Sequence, residues 1–143
     1  MYRSIDLESF VQAAGDAIIA VDSDGKIVLW NPAAERIFGF TGADAMGQSL
    51  DLIIPERFRE RHWEGFRKVM RTGETRYGAD VLRVPALHKD GRPLSIAFTV
   101  ALLKSPGSES FTIAAIVRDE TQRWNEEREL RRRLAELERP PNR

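Results

Sequence analysis

The feature that most constrains this chain is a strict alternation of large and small side chains between residues 94 and 102. The large positions are Leu94, Ile96, Phe98, Val100 and Leu102, and the small ones between them are Ser95, Ala97, Thr99 and Ala101. Successive side chains of a β-strand point to opposite faces, so all the large residues share one face. The alternation therefore predicts a long strand in a sheet with one apolar face, which must be covered by another layer.

Two Asp-Gly pairs predict the turns that fold this sheet. Asp24-Gly25 separates short β-branched runs at residues 17–21 and 26–30, and Asp90-Gly91 precedes the alternating strand. Asp-Gly readily adopts the positive φ angles of tight hairpin turns. Residues 79–87, interrupted by Pro85 as an edge strand can be, and residues 111–117 supply two more strands. The sequence thus predicts five strands in a mainly antiparallel sheet.

The longest helical pattern in the middle of the chain covers residues 56–71. Its apolar face, with spacings of four, four and three residues, consists of Phe58, His62, Phe66 and Val69, widened by Trp63 and Met70. Such a stripe is typical of a helix packed on a sheet, and Gly73 is a suitable end for it. Two short helices are predicted before it, the first capped by Asn31 and the second by Thr41 with Asp44.

Both ends of the chain are predicted to be helical. Residues 1–15 form an amphipathic lead-in helix, with Ser4 as its N-cap and Gly15 as its stop. Its apolar positions are Ile5, Leu7, Phe10, Val11 and Ala14. Residues 122–143 form a charged exit helix and tail, whose heptad seam consists of Leu130, Leu134 and Leu137. The domain proper is therefore expected at residues 16–121.

These two helices also predict assembly. A seam of about two heptads is too short to hold itself together in water. We therefore expect a homodimer in which the lead-in helices bury most of the contact area and the exit helices continue it. In the competing arrangement both helices fold back over the open face of the sheet.

Composition excludes several classes of site. The 143 residues include no Cys and only two His, so disulfides, thiol nucleophiles and thiolate metal sites are excluded and a multi-His site is disfavoured. The 22 Lys and Arg balance the 22 Asp and Glu, which argues against direct binding of nucleic acid or an anionic membrane. No signal peptide or spanning segment is evident, so a cytoplasmic location is expected. No phosphate-binding loop or nucleophile elbow occurs, and we expect no enzyme activity.

Four segments, in order, resemble the PAS domain. Residues 17–22 with 24–28 are similar to its first hairpin, and residues 30–40, WNPAAERIFGF, are similar to the N-x-A-A-E-x-x-F-G-Y pattern. Lys89-Asp90-Gly91 matches the K-D-G turn before the long fourth strand. Arg118-Asp119-Glu120-Thr121 resembles the R-D-I-T ending, with Glu120 in place of Ile. The resemblance covers about residues 5–123 and implies an α+β fold: a five-stranded antiparallel sheet with helices on one face.

The resemblance implies sensing and signal transduction rather than catalysis. PAS domains bind a small ligand or cofactor, or a partner, and relay the change through the exit helix to an effector, which this chain does not contain. The implied pocket lies between the long helix and the sheet. Its candidate residues are Phe58, His62, Trp63, Phe66, Val69, Arg83, Ile96 and Phe98. A plain hydrophobic core would use the same residues, so a PAS module that only mediates protein contacts or dimerisation stays open as an alternative.

A haem- or flavin-binding gas or redox sensor is another alternative. His62 is the candidate iron ligand, although the usual haem-ligand position falls near Arg76. A hydrogen-bonded place in the core is the favoured interpretation of His62. Arg76 or Arg83 could pair with a carboxylate or propionate. The photochemical thiol adduct of LOV-type flavin domains is excluded because there is no Cys. His88, in the second hairpin turn, is expected to be solvated.

Asp119 and Thr121 form the implied signal-transfer joint. Thr121 is a candidate cap for the first amides of the exit helix, and Asp119 is expected to bond the backbone or a neighbouring strand.

Overall fold

The helices and strands follow one another as the sequence predicts. The computed structural model of the protein describes residues 3–75, 80–104, 106–107 and 109–140. The elements are α1 (Leu7–Ala13), β1 (Ala17–Val21), β2 (Ile27–Trp30), α2 (Pro32–Phe38), α3 (Gly42–Ala45), a 3-10 turn (Leu50–Ile53), α4 (Glu56–Thr72), β3 (Leu82–Leu87), β4 (Pro93–Lys104), β5 (Phe111–Asp119) and α5 (Thr121–Glu138).

The strands form one antiparallel sheet in the order β2-β1-β5-β4-β3. The longest pairing runs between β4 and β5, from Ile96 opposite Asp119 to Lys104 opposite Phe111. β3 is an edge strand, which is where Pro85 can be accommodated because no further strand needs its missing amide hydrogen. The predicted five-stranded sheet is confirmed. The expected start of the third strand, at Ala79, lies outside the described residues.

The core lies between one face of the sheet and the helices. Its members from the sheet include Ala17, Ile19, Leu94, Ile96 and Val117, which occupy alternate positions of their strands. The helices contribute buried side chains that include Ala34, Phe38 and Phe66. The large residues of the alternation at 94–102 are predicted to face the core. This is confirmed for the first half of β4, where Leu94 is 4% and Ile96 6% exposed.

Asn31 is the fully buried polar side chain at the centre of this arrangement. Its Oδ1 accepts from the backbone N–H of Ala34 at 3.1 Å, which is the predicted N-cap of α2, and also from Ile18 N–H at 2.8 Å. Its Nδ2 donates to the carbonyls of Val11, at 2.9 Å, and Asp16, at 3.2 Å. One amide thus joins the lead-in helix, β1 and α2.

The lead-in helix differs from the prediction at both ends. Asp6 caps α1 through Oδ1, which accepts from Glu8 N–H and Ser9 N–H, while Ser4 lies outside the helix with φ +44°. The last helical residue is Ala13, and the C-cap is Ala14 instead of the predicted Gly15. Asp6 displaces Ser4 because a carboxylate at this position also complements the positive end of the helix dipole.

Neither terminal helix covers the sheet. α1 and α5 contain no buried residue, and Phe10 is 65% exposed while Leu134 is 56% exposed. The fold-back arrangement is therefore wrong for the single chain, and exposed apolar side chains remain on both helices, among them Leu7, Phe10 and Leu134.

The first prediction tests the bonds of Asn31. Asn31→Ala would leave two buried N–H groups and two buried carbonyls without their partner, and we expect the free energy of unfolding to fall by about 3–4 kcal/mol. Chemical denaturation measures the loss. Asn125→Ala, on the exposed surface of α5, is the matched control and should change stability by less than about 0.5 kcal/mol. Equal effects of the two substitutions would contradict a central role for Asn31.

Candidate functional site

The inner face of α4 forms one wall of the site. α4 begins after Pro55 and ends at Gly73, whose left-handed backbone (φ +71°) closes the last turn through a bond from its N–H to the Val69 carbonyl. Phe66 is buried, and Phe58, His62, Trp63 and Val69 are half-buried. The 3.6-residue repeat of the helix thus turns all five predicted positions toward the domain to some degree.

His62 is the polar group on this wall. Its ring meets Trp63 edge-on at 4.5 Å between centroids and stacks on Phe66 at 6.5 Å. Nδ1 is buried and has no hydrogen-bond partner. Burial lowers the pKa of His62, an effect that the nearby Asp51 carboxylate only partly opposes. The imidazole is therefore neutral near pH 7 and keeps one ring nitrogen without a partner inside the domain.

Trp63 connects the wall to the first hairpin. Its Nε1 donates to Asp51 Oδ1 at 2.7 Å, and its six-membered ring lies directly over Gly25 in the β1–β2 turn. A Cβ atom at Gly25 would lie 2.7 Å from two ring carbons. The sequence pattern identified Trp63 as an apolar residue of the stripe, but only the structure shows it holding α4, the 3-10 turn and the hairpin together.

The sheet supplies the opposite wall, but only part of the predicted set meets there. Ile96, Phe98, Trp63 and Phe66 belong to one apolar cluster, and His62 joins it through its ring contacts. Two predicted members on α4 lie outside the cluster. Phe58 sits at the start of α4 beneath the Arg57 guanidinium, 4.7 Å from the ring centroid, and Val69 is half-buried near the helix end.

Arg83 does not belong to the pocket. It pairs with Ala97, so it lies on the outer face of the sheet, opposite to Ile96 and Phe98. Its side chain is 64% exposed, and Nε lies 3.5 Å from Glu120 Oε2. The prediction failed because β3 is short and its consecutive exposed residues show no alternation to reveal which face each residue occupies. Arg76, the other candidate for an acidic group, lies outside the described residues.

The signal-transfer joint differs from the prediction at Thr121, whereas Asp119 bonds the backbone as predicted. Glu120, not Thr121, precedes the first helical residue, and the Glu120 side chain makes no capping bond. Thr121 Oγ1 instead accepts from Ser95 N–H in β4 at 2.9 Å and donates to Asp119 Oδ1, which also accepts from Thr121 N–H. Glu120 N–H donates to the Ser95 carbonyl at 2.8 Å. Both backbone groups of Ser95 therefore bond the start of α5.

His88 is also placed differently from the prediction. Its side chain is only 16% exposed and lies over Gly39, the left-handed residue that ends α2. Nδ1 accepts from Asp90 N–H at 3.1 Å, and Lys89 N–H donates to the Phe38 carbonyl at 2.8 Å. The turn docks on the end of α2 instead of standing in solvent, because Gly39 has no side chain to keep the ring away.

The described residues do not assemble a haem site. His62 Nδ1 has no acceptor to fix the ring as an iron ligand usually requires, and Arg83 is on the wrong face to meet a propionate. Within the described ranges, no group of three or more His, Asp or Glu is placed to hold a metal ion.

Comparison with known proteins is consistent with this architecture. A family model described as PAS fold matches residues 5–119. The chain belongs to the PAS family. As a PAS domain it has a TM-score of 0.69 with a PAS-domain structure from Colwellia psychrerythraea, at 22% identity and with 81% of this chain and 95% of that one covered. The PAS domain of Bordetella pertussis BvgS gives a TM-score of 0.62 at 17% identity, covering 92% of this chain and 93% of that one.

Sequence relatives include sensor proteins. The sensor protein FixL of Bradyrhizobium diazoefficiens is 30% identical over 135 residues, which are 94% of this chain and 26% of FixL. A protein of Azorhizobium caulinodans is 36% identical over 118 residues, which are 82% of this chain and 16% of that protein. This PAS chain thus spans about a quarter or less of the length of these relatives. In the described part of the chain, no helix is both long and apolar enough to cross a membrane.

The second prediction isolates the Trp63 contact. Gly25 and Gly47 have nearly equal φ angles, +78° and +80°, but nothing lies within 4 Å of a Cβ at Gly47. Gly47→Ala should therefore cost only the backbone strain, about 1–2 kcal/mol. Gly25→Ala should cost about 1–3 kcal/mol more because the methyl group also collides with the indole. Equal losses of unfolding free energy in the two variants would contradict the contact.

The third prediction concerns the pH dependence of stability. Because the pKa of His62 in the folded protein is below its unfolded value of 6.5, the unfolded chain takes up this proton first as pH falls. The free energy of unfolding therefore keeps its full value with respect to His62 above pH 6.5. It falls progressively below that pH, until His62 of the folded form is also protonated. We expect denaturation of His62→Gln to show a shallower fall of unfolding free energy between pH 7 and pH 5. One proton accounts for at most about 1.4 kcal/mol per pH unit. A slope equal to that of the wild type would refute the assignment.

Proposed function

We propose that this PAS domain is a sensory module that binds a small, mainly apolar ligand between α4 and the sheet. The observation that carries the proposal is the buried Nδ1 of His62, which has no partner in a wall otherwise made of aromatic and aliphatic side chains. A buried polar atom without a hydrogen bond is costly, and a ligand with one complementary polar group would satisfy it. Ligand pockets commonly combine such an apolar lining with few polar groups. The neutral imidazole fits an uncharged ligand better than an anionic one.

A short series of contacts between this wall and the exit helix supports a relay of the bound state. Ile96 contributes to the apolar cluster, and its chain neighbour Ser95 bonds Thr121 and Glu120 at the start of α5. A ligand that shifts the first half of β4 would therefore shift the base of α5. We propose that α5 carries the response to a partner protein or effector domain, and that the module binds and signals without catalysing a reaction.

We also propose that the domain acts as a homodimer. α1 presents Leu7, 51% exposed, and Phe10, 65% exposed, to solvent. The exposed seam of α5, consisting of Leu130, Leu134 and Leu137, continues the same kind of surface. Burial of these side chains is favourable at roughly 25 cal/mol per Å² of apolar surface. The cytoplasmic location stays a prediction from the sequence.

The fourth prediction tests the ligand. Protein purified under native conditions should release a small molecule that mass spectrometry detects, and His62→Ala should retain at least tenfold less of it. Ile116→Ala, on the outer face of β5 and 52% exposed, is the control and should retain the wild-type amount. An absorption spectrum with a Soret band that His62→Ala loses would instead favour the haem sensor. Absence of any retained molecule, also after incubation with cell extract, would favour the ligand-free interaction module.

The fifth prediction tests assembly by sedimentation equilibrium. We expect a dimer at tens of micromolar protein. Phe10→Asp should dissociate it because a carboxylate would be buried in the contact between the lead-in helices. Leu134→Asp should leave it dimeric because the exit helices only continue the contact. The proposed roles of the two helices would be contradicted if the wild type were a monomer, or if Leu134→Asp alone dissociated the dimer.

A further inference from the structure

We propose that Glu120 is a charged clamp that holds the exit helix α5 in one direction against the edge strand β3. Glu120 lies at the corner where β5 ends and α5 begins, and its side chain is 19% exposed. One carboxylate oxygen, Oε2, is 3.5 Å from Arg83 Nε in β3. The other, Oε1, is 4.0 Å from Arg123 Nη1 in the first turn of α5. The carboxylate thus joins two elements that are far apart in the sequence.

The clamp matters because α5 has few other attachments. Within the described residues of α5, no side chain is buried, and its ion pairs beyond the first turn join residues of the same helix. At the base of α5, Thr121 and Glu120 bond Ser95 of β4. Those bonds fix the position of the base. They leave the tilt of the helix to side chains that reach outward from the corner, and Glu120 reaches β3 through its ion pair with Arg83.

The surrounding charges extend this contact across the outer face of the sheet. Arg118, two residues before Glu120 on β5, has its pKa raised mainly by the Asp16 carboxylate and further by Glu120. Arg118 bonds both carboxylate oxygens of Asp16, at 3.2 Å and 3.1 Å. Glu120 therefore lies in a row of alternating charges that begins beside the lead-in helix, at Asp16, and reaches α5 at Arg123.

The chemistry of the clamp makes it reversible. The Arg83 and Arg123 side chains are 64% and 68% exposed, so dissolved ions and competing anions can reach both guanidinium groups. α5 should therefore be held at low ionic strength and loosened as salt is raised. This inference depends on the proposed function only for its role, since α5 is taken as the output element.

The absence of native Cys allows a direct measurement of the direction of α5. Cysteines introduced in place of Arg36 on α2 and Arg131 on α5, both exposed, can carry spin labels. Dilution with unlabelled protein restricts the electron–electron distance to one chain even in a dimer. We expect a narrow distance distribution at 50 mM salt that broadens by at least half at 500 mM salt. Glu120→Gln, which keeps the shape but removes the charge, should be broad at both salt concentrations.

Two further variants separate the clamp from a general loss of structure. Arg83→Gln should reproduce the broad distribution, and the double variant should be no broader than either single one. Glu127→Gln is the matched control, because Glu127 pairs with the same Arg123 but lies within α5 and does not reach the sheet. Its distance distribution should be narrow at 50 mM salt and broaden at 500 mM salt, as in the wild type. A narrow distribution in Glu120→Gln, or a wild-type distribution in Arg83→Gln, would overturn the proposal. No ligand is added, so failure of this test would leave the proposed ligand site unaffected.

Discussion

The four hydrogen bonds of Asn31 are the interaction on which the rest of the structure depends. Without them, the backbone of β1, the first turn of α2 and the end of α1 would each contain a buried polar group with no partner. An amide side chain can satisfy all of them because it offers two acceptor sites and two donors in one plane. The position of the lead-in helix relative to the core is therefore set by the same residue that starts the first helix of the core.

Local signals in the sequence predict much of this fold because they are tied to backbone geometry. Asp-Gly turns, the Asn31 cap and the alternation in the first half of β4 each report a conformation of a few neighbouring residues, and each is confirmed. The capping box of Thr41 and Asp44 is confirmed for the same reason. The reach of Asn31 to Val11 and Asp16 could not be predicted, because it depends on how distant segments come together.

The candidate site was less predictable because the face on which a side chain lies and the residue that it contacts both depend on tertiary structure. Periodicity placed His62 and Phe66 on the inner face of α4 correctly, but it could not show that Trp63 would rest on a hairpin glycine. The prediction assigned Arg83 to the wrong face because a short edge strand with exposed residues on both faces shows no alternation of buried and exposed side chains. Thr121 is a residue type that often caps helices. In this structure, however, its hydroxyl accepts a hydrogen bond from the backbone N–H of Ser95 at the corner of the sheet.

The isolation of α5 from the body of the domain has a mechanical consequence. Its 18 residues extend about 27 Å from a base held at Ser95, so the helix acts as a pointer fixed at one end. A tilt of about 10° at the base would carry the far end through roughly 5 Å, close to the pitch of one helical turn. That is enough to change which side chains of two neighbouring helices face each other. Movements in the sheet that are too small to alter its hydrogen bonds would then change how the far end of α5 is aligned with a neighbouring helix.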